Sequence, residues 1–126
     1  MKLENQVVSL KYAKRLKELG FKQKSYWHWY DGKGFENEPT LVHPSNPYKK
    51  VASAFSVAEL GEMLPRRFEK GKQSYYLLDV QIRPQGIYVY YSFLHASLED
   101  RITVEDKTEA NARAKMLIYL KENKII

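Results

Sequence analysis

The alternation of apolar and polar residues is clearest between residues 74 and 93, where two β-rich segments flank a turn. Successive side chains on a strand point to opposite faces, so each segment has one apolar face and one mixed face. The sequence Arg83-Pro84-Gln85-Gly86 between them has turn composition, and the pattern predicts a β-hairpin. The positions of the apolar face are Tyr76, Leu78, Val80, Ile82, Ile87, Val89, Tyr91 and Phe93.

Two registers of this hairpin are open. A three-residue loop, with Gly86 left-handed at a bulge, would set Ile82 opposite Tyr88. A four-residue loop sets Ile82 opposite Ile87 and makes the two apolar faces coincide. We favour the second register, because a one-residue slip would expose half of the apolar set to water. The mixed face then carries Tyr75, Leu77, Asp79, Gln81, Arg83, Tyr88 and Tyr90.

Helix signals occur before and after the hairpin. Ser9 is placed to cap a helix over residues 10–19. Residues 56–59, SVAE, form a capping box that predicts a helix over residues 57–64. Within that helix Gly61 lowers the helix propensity, which indicates that another group approaches the backbone closely.

A third helix is predicted over residues 109–123, capped by Thr108. Its side chains are apolar around most of the circumference, which is typical of a buried helix. We expect it to lie across the apolar face of the hairpin, with Val80 and Val89 buried between the two elements.

Shorter β-rich segments predict further strands at residues 25–31, 40–43 and 101–104, whereas the rest of residues 35–50 and the basic residues 66–73 predict loops. The 126 residues therefore predict a single α+β domain over residues 1–126. We expect an antiparallel sheet of about four strands in hairpins and three helices mainly on one face. The order is α-β-β-α-β-β-α.

Composition and motifs exclude several classes of function. The chain has no cysteine, so a disulfide framework, a thiolate zinc site and a cysteine nucleophile are absent. No apolar segment approaches the about 20 residues of a membrane span, and the N-terminus lacks a signal-peptide core, so we expect a cytoplasmic protein with no membrane partner.

No catalytic or ligand-binding motif is present. His28, His43 and His95 lie far apart and lack the spacing of metal ligands. Glu59 has a structural role in the capping box, and Glu62 is expected to face the solvent. We therefore do not expect these two carboxylates to act as a catalytic acid–base pair. We expect no enzyme activity, no metal, no cofactor and no small-molecule substrate.

The net charge of +6 is carried by residues 1–73, which hold 14 Lys and Arg against 8 Asp and Glu. Cations beside aromatic rings are what single-stranded nucleic acids require, for their phosphates and bases respectively. This pattern favours a nucleic-acid-binding module as one hypothesis. Its cations are Lys11, Lys14, Arg15, Lys17, Lys22 and Lys24, next to the aromatic segment 26–30.

The mixed face of the hairpin supports the hypothesis that we favour, a non-enzymatic protein-interaction module. Tyrosine and arginine provide much of the binding energy in protein interfaces, and an antiparallel sheet commonly leaves one face open. Either a partner protein, including a second copy of the chain, or another part of the same chain covers this face. The contact residues would be Tyr75, Tyr88, Tyr90, Gln81 and Arg83.

Three stretches of the chain carry a family resemblance. They are ENQVVSLKYAKRLKELGFKQKS at residues 4–25, FSVAELGEMLP at 55–65 and TEANARAKMLIYLKENKII at 108–126. These segments, somewhat under half of the chain, resemble small uncharacterised proteins of bacteria and their phages. The family has no established activity, so the resemblance implies a phage or prophage context but no site residues. With the interaction hypothesis, it leads us to expect a phage accessory factor that binds a host or phage protein.

Overall fold

The computed structural model describes residues 2–31, 39–42, 49–69, 75–93 and 101–126. A short 3-10 helix, Leu3–Asn5, precedes the regular elements. The helices are α1 (Leu10–Glu18), α2 (Val57–Met63) and α3 (Glu109–Glu122). The strands are β1 (His28–Asp31), β2 (Pro39–Val42), β3 (Lys50–Ser53), β4 (Arg67–Glu69), β5 (Tyr75–Arg83), β6 (Gly86–Phe93) and β7 (Ile102–Asp106). The fold is α+β in the predicted order of helices and strand pairs.

The strands form two antiparallel sheets, one with the order β2-β1-β3 and one with the order β4-β5-β6-β7. The predicted hairpins are β1–β2 and β5–β6. Strands β3 and β4 were not predicted, and β4 lies in the segment that we expected to be a loop. Its one apolar residue, Phe68, stacks on Tyr76 with the ring centroids 5.0 Å apart. Three residues are too few to show a period, so β4 is recognised only from its pairing with β5.

The favoured register of the central hairpin is confirmed, but the predicted four-residue loop is wrong, because Arg83 pairs with Gly86 and only Pro84 and Gln85 lie between the strands. Ile82 pairs with Ile87 and Val80 with Val89. The turn needs a glycine because a Cβ built on Gly86 would lie 3.0 Å from the carbonyl oxygen of Asp106 in the adjacent strand β7. The alternative register, with Ile82 opposite Tyr88, is therefore wrong.

Helix α3 packs on the inner face of the four-stranded sheet, over β6 and β7. Val89 is fully buried in the resulting core, as predicted. Val80 is only half-buried, because β5 lies farther from the axis of α3 than β6 does. The fully buried residues of α3 are Ala110, Ala112, Ala114, Met116, Leu117 and Leu120.

Polar side chains of α3 form a hydrogen bond with the start of α1 and an ion pair with β7. The backbone N–H of Ser9 donates to Asn111 Oδ1 over 2.8 Å at the start of α1. Lys115 Nζ lies 3.1 Å from a carboxylate oxygen of Asp106. Burial alone would raise the pKa of Asp106, but hydrogen bonds from Lys115 and from the backbone amide of Lys107 outweigh burial and lower it. Helix α3 therefore joins α1 to the four-stranded sheet by polar contacts as well as by its core.

Candidate functional site

The outer face of the four-stranded sheet is the face opposite α3. The register places on it the side chains of Arg67, Leu77, Asp79, Gln81, Arg83, Tyr88, Tyr90, Thr103 and Glu105. In the described part of the chain α3 packs on the inner face of this sheet, α1 and α2 pack against α3, and α1 also packs against β3. The described structure therefore has the open sheet face on which the sequence prediction depends.

A hydrogen-bonded chain of side chains crosses the outer face from β6 to β5. The hydroxyl of Tyr90 donates to Asp79 Oδ2 over 2.6 Å, and Gln81 Nε2 donates to the Tyr90 oxygen over 2.9 Å. Arg83 donates through Nε and Nη2 to Gln81 Oε1. The hydrogen bond to Asp79 raises the pKa of Tyr90, and burial raises it further. The tyrosine is therefore a neutral donor at physiological pH.

Two arginines lie over tyrosine rings on the same face. The guanidinium carbon of Arg83 lies 4.7 Å from the ring centroid of Tyr88, and that of Arg101 lies 4.9 Å from the ring of Tyr90. A hydrogen bond to Glu105 raises the pKa of Tyr88. Hydrogen bonds and ring contacts thus connect these long side chains to one another.

The structure corrects one of the five predicted contact residues. Tyr90 is only 5% exposed and belongs to the interior of the network. Gln81 and Tyr88 are half-buried and Arg83 is exposed, so these three form an accessible cluster. The side chain of Tyr75 lies outside the described residues. Arg101 was not among the predicted contact residues, although the sequence predicted a strand that begins at this residue.

The basic side chains of α1 fall into two groups, those that are exposed and those that contact other residues of the chain. Lys11 and Lys14 are exposed. Arg15 lies 2.9 Å from Glu122 and 3.2 Å from Glu18, and the hydrogen bond to Glu122 raises the pKa of its guanidinium. Lys17 Nζ donates to the carbonyl oxygen of Val51 over 2.9 Å. Two of the four predicted cations of α1 therefore help to hold the fold together.

The aromatic segment after α1 presents one strongly exposed ring. Tyr26 is 75% exposed, whereas His28 and Tyr30 are buried. Trp29 packs against the core and donates its indole N–H to the carbonyl oxygen of Val8 over 3.0 Å. Burial lowers the pKa of His28, so this histidine is a neutral core residue. Lys22 and Lys24 are also exposed, and they alternate with buried or half-buried residues that precede Tyr26.

No metal centre is present among the described residues. Within them no three His, Asp or Glu side chains lie close enough to hold an ion, and His43 and His95 lie outside them. Glu59 closes the predicted capping box and also accepts a hydrogen bond from Ser25, and Glu62 is exposed, as expected.

The described helices are also too short or too polar for any of them to cross a membrane.

Comparison with known proteins gives no relative for this chain. No protein-family model matches its sequence, no curated protein is significantly similar to it, and no solved structure is significantly similar to its fold. The arrangement of the residues themselves is consequently the basis for any assignment of function.

Proposed function

We propose that this protein is a non-enzymatic interaction module, a phage or prophage accessory factor, and that its outer sheet face binds a host or phage protein. The observation that supports the proposal is the accessible cluster of Gln81, Arg83 and Tyr88, in which the arginine lies over the tyrosine ring and donates hydrogen bonds to the glutamine side chain. Side chains that are already ordered lose little rotamer entropy on binding, so more of their contact energy contributes to affinity.

The charges of the outer face indicate the chemistry of the partner. Three arginines, Arg67, Arg83 and Arg101, are matched on this face by three carboxylates, Glu69, Asp79 and Glu105, and Leu77 adds an apolar side chain that is 37% exposed. A face without net positive charge does not attract a polyanion, whereas a protein surface with charges of both signs complements it. We therefore assign this face to a protein partner and not to nucleic acid.

The test is affinity capture from a bacterial host lysate with three forms of the chain. They are the wild type, the double variant Arg83→Ala/Tyr88→Ala, and the control Tyr119→Ala/Lys121→Ala, which removes a tyrosine and a cation from the helical side. We expect a protein that is retained by the wild type and the control after nuclease treatment and is lost with the double variant. Tyrosine and arginine at interface centres each contribute about 2 kcal/mol or more, enough to remove a micromolar partner.

Retention of the same proteins by all three forms would contradict the assignment of the outer face. Two-fold self-association, measured by analytical ultracentrifugation of the purified chain, is a further outcome. If only the double variant is monomeric, self-association supports the outer face as a binding surface and identifies the partner as a second copy of the chain.

A second candidate function, binding of single-stranded nucleic acid, is favoured by one observation. Lys22, Lys24 and Tyr26 are exposed and alternate with buried or half-buried residues, and Tyr26 is 75% exposed. Cations that follow a phosphate backbone and a ring on which a base stacks are the two components of sequence-tolerant binding. The exposed Lys11 and Lys14 on α1 extend the positive charge.

For this candidate we expect Lys22→Gln/Lys24→Gln to weaken oligonucleotide binding and to reduce the salt slope by about 1.4, since each phosphate contact on a single strand contributes about 0.7. Fluorescence anisotropy with a labelled oligonucleotide at several salt concentrations measures both quantities. Arg15→Gln is the control, because Arg15 is paired with carboxylates of the same chain. Equal slopes for the wild type and the lysine variant would eliminate the candidate.

A further inference from the structure

One edge of the four-stranded sheet is only partly covered. Strand β4 pairs with the first residues of β5, from Tyr75 to Leu77, and with no later ones. Within the described part of the chain, no other strand lies beside the rest of β5 on that edge. We call residues 79–83 of β5, with the sequence DVQIR, the open edge. It differs from the outer face because it presents backbone groups as well as side chains.

The backbone groups at the open edge belong to Val80 and Ile82. The amide of Leu78 donates to the carbonyl oxygen of Arg66 over 3.0 Å, so it points away from β6. Backbone groups alternate in direction along a strand, so those of Val80 and Ile82 point the same way as those of Leu78. The amide of Val80 donates to the carboxylate of its neighbour Asp79 over 2.8 Å. The other outward groups have no strand partner among the described residues.

The sequence of the open edge does not prevent pairing with another chain. Natural edge strands are often short or bulged, or they carry lysine or proline. Residues 79–83 contain neither lysine nor proline, and their pairing with β6 is continuous. Ile82 is also 76% exposed, although it lies on the apolar face of the hairpin. An added strand would pair the backbone groups and remove this aliphatic side chain from water.

The open edge is complementary to a second copy of itself. An antiparallel pair about a two-fold axis at Gln81 sets Asp79 of each copy opposite Arg83 of the other, on the outer side of the sheet. The same register sets Val80 opposite Ile82 on the inner side, and it pairs each outward amide with an outward carbonyl. Opposite charges and apolar side chains that face each other stabilise antiparallel strands.

The neighbouring registers are less favourable. An axis at Val80 would require the backbone of Leu78, which is already bonded to Arg66. An axis at Ile82 would set Val80 opposite Pro84, which has no amide to donate. Charge and backbone pairing therefore select the same register, the one centred on Gln81.

We propose that the protein forms a two-fold dimer in which the open edges of two copies pair in this register. The two four-stranded sheets then form one continuous sheet. The Asp79 carboxylate exchanges the Val80 amide for the guanidinium of Arg83 in the other copy, and the amide bonds to the other copy's strand. Because the axis is perpendicular to the sheet, both outer faces stay on the same side and Tyr88 lies away from the junction. The dimer goes beyond the proposed function and does not depend on it.

The dimer is expected to be weak. The contact is formed by residues 79–83 of each copy, far fewer than the about 20–30 residues on each side of a standard stable interface. We therefore expect a dissociation constant on the order of 100 µM. At low micromolar concentrations the chain is then a monomer.

The first experiment is analytical ultracentrifugation of the purified full chain from about 5 µM to about 1 mM, a range that brackets the expected dissociation constant. We expect the average mass to rise from that of one chain towards that of two. Ile82→Lys should weaken dimerisation at least about tenfold, because it places a cation against Val80 of the other copy. Ile82 is exposed, so this variant keeps the fold. Tyr88→Ala, on the outer face, should dimerise like the wild type.

A second experiment tests the register by cross-linking. The chain has no cysteine, so Gln81→Cys introduces a single thiol. At the two-fold axis the two Cα atoms of residue 81 form a non-hydrogen-bonded pair about 4.5 Å apart, within the range of a disulfide. The control is Thr103→Cys on β7, which is exposed but separated from its copy by five strand spacings, about 24 Å. With oxidised glutathione we expect Gln81→Cys to cross-link at least about tenfold faster than the control.

The outcomes separate the open edge from the outer face. A wild type that stays monomeric at about 1 mM, or an Ile82→Lys variant that dimerises like the wild type, would overturn the proposal. Equal cross-linking rates for the two cysteine variants would do the same. Loss of dimerisation with Tyr88→Ala would also overturn it and would assign self-association to the outer face. Failure to capture a foreign protein, in contrast, bears only on the proposed function.

Discussion

Replacing Val89 with Asp is expected to unfold the protein. Val89 is fully buried between β6 and α3, where a carboxylate would have neither water nor a cation to compensate its charge. Burial of an unpaired charge costs several kcal/mol, and the total stability of a domain is about 5–15 kcal/mol. We expect the free energy of unfolding, measured by urea denaturation, to fall by about 4 kcal/mol or more, with loss of the native circular dichroism if the domain is marginal.

The matched control for this variant is Ile82→Asp. It makes a β-branched-to-aspartate change on the same face of the same hairpin, but Ile82 is 76% exposed. We expect its free energy of unfolding to change by no more than about 0.5 kcal/mol. Equal losses for the two variants would show that α3 does not cover β6 in the way the structure describes.

Replacing Tyr90 with Ala is expected to destabilise the fold by about 3 kcal/mol, since large-to-small changes of buried aromatic residues cost about 3–5 kcal/mol. The ring is 5% exposed and lies under Arg101, and its hydroxyl links Asp79 to Gln81. Tyr90→Phe removes only the hydroxyl, with its two hydrogen bonds to Asp79 and Gln81, and should cost about 1–2 kcal/mol. Thermal and urea denaturation measure both.

Tyr88→Ala provides the comparison on the same strand. Tyr88 is half-buried, and its ring contact with Arg83 contributes about 0.5–1 kcal/mol at an exposed site. We expect a loss of stability below about 1 kcal/mol together with a loss of partner binding. A large loss of stability for Tyr88→Ala, or none for Tyr90→Ala, would mean that the structural and the contact tyrosine have been assigned the wrong way round.

The sequence predicted the elements whose signals are local. The register of the central hairpin followed from the coincidence of two apolar faces, and the capping box at Ser56 and Glu59 formed as expected. The burial of α3 followed from its apolar circumference. In each case residues close together in the sequence determine the outcome, so their period or spacing carries the information.

Features that depend on contacts between distant segments were missed or misjudged. Strand β4 is defined by its pairing with β5, and its three residues are too few to show the alternation of apolar and polar positions that predicts a strand. Tyr90 alternates in the sequence like Tyr88, but Asp79 and Arg101 enclose it and leave Tyr88 more exposed. The close approach to the backbone that Gly61 of α2 indicated is confirmed, but the approaching group, the guanidinium of Arg113, belongs to a residue 52 positions farther along the chain.

The central claim, that the outer face is a protein-binding surface, is tested most directly by calorimetric titration of the captured protein, purified, into the wild type, Arg83→Ala/Tyr88→Ala and Tyr119→Ala/Lys121→Ala. The account predicts that the first double variant binds at least about 30-fold more weakly, which corresponds to roughly 2 kcal/mol, while the second binds like the wild type. Equal affinity of all three forms would contradict the assignment.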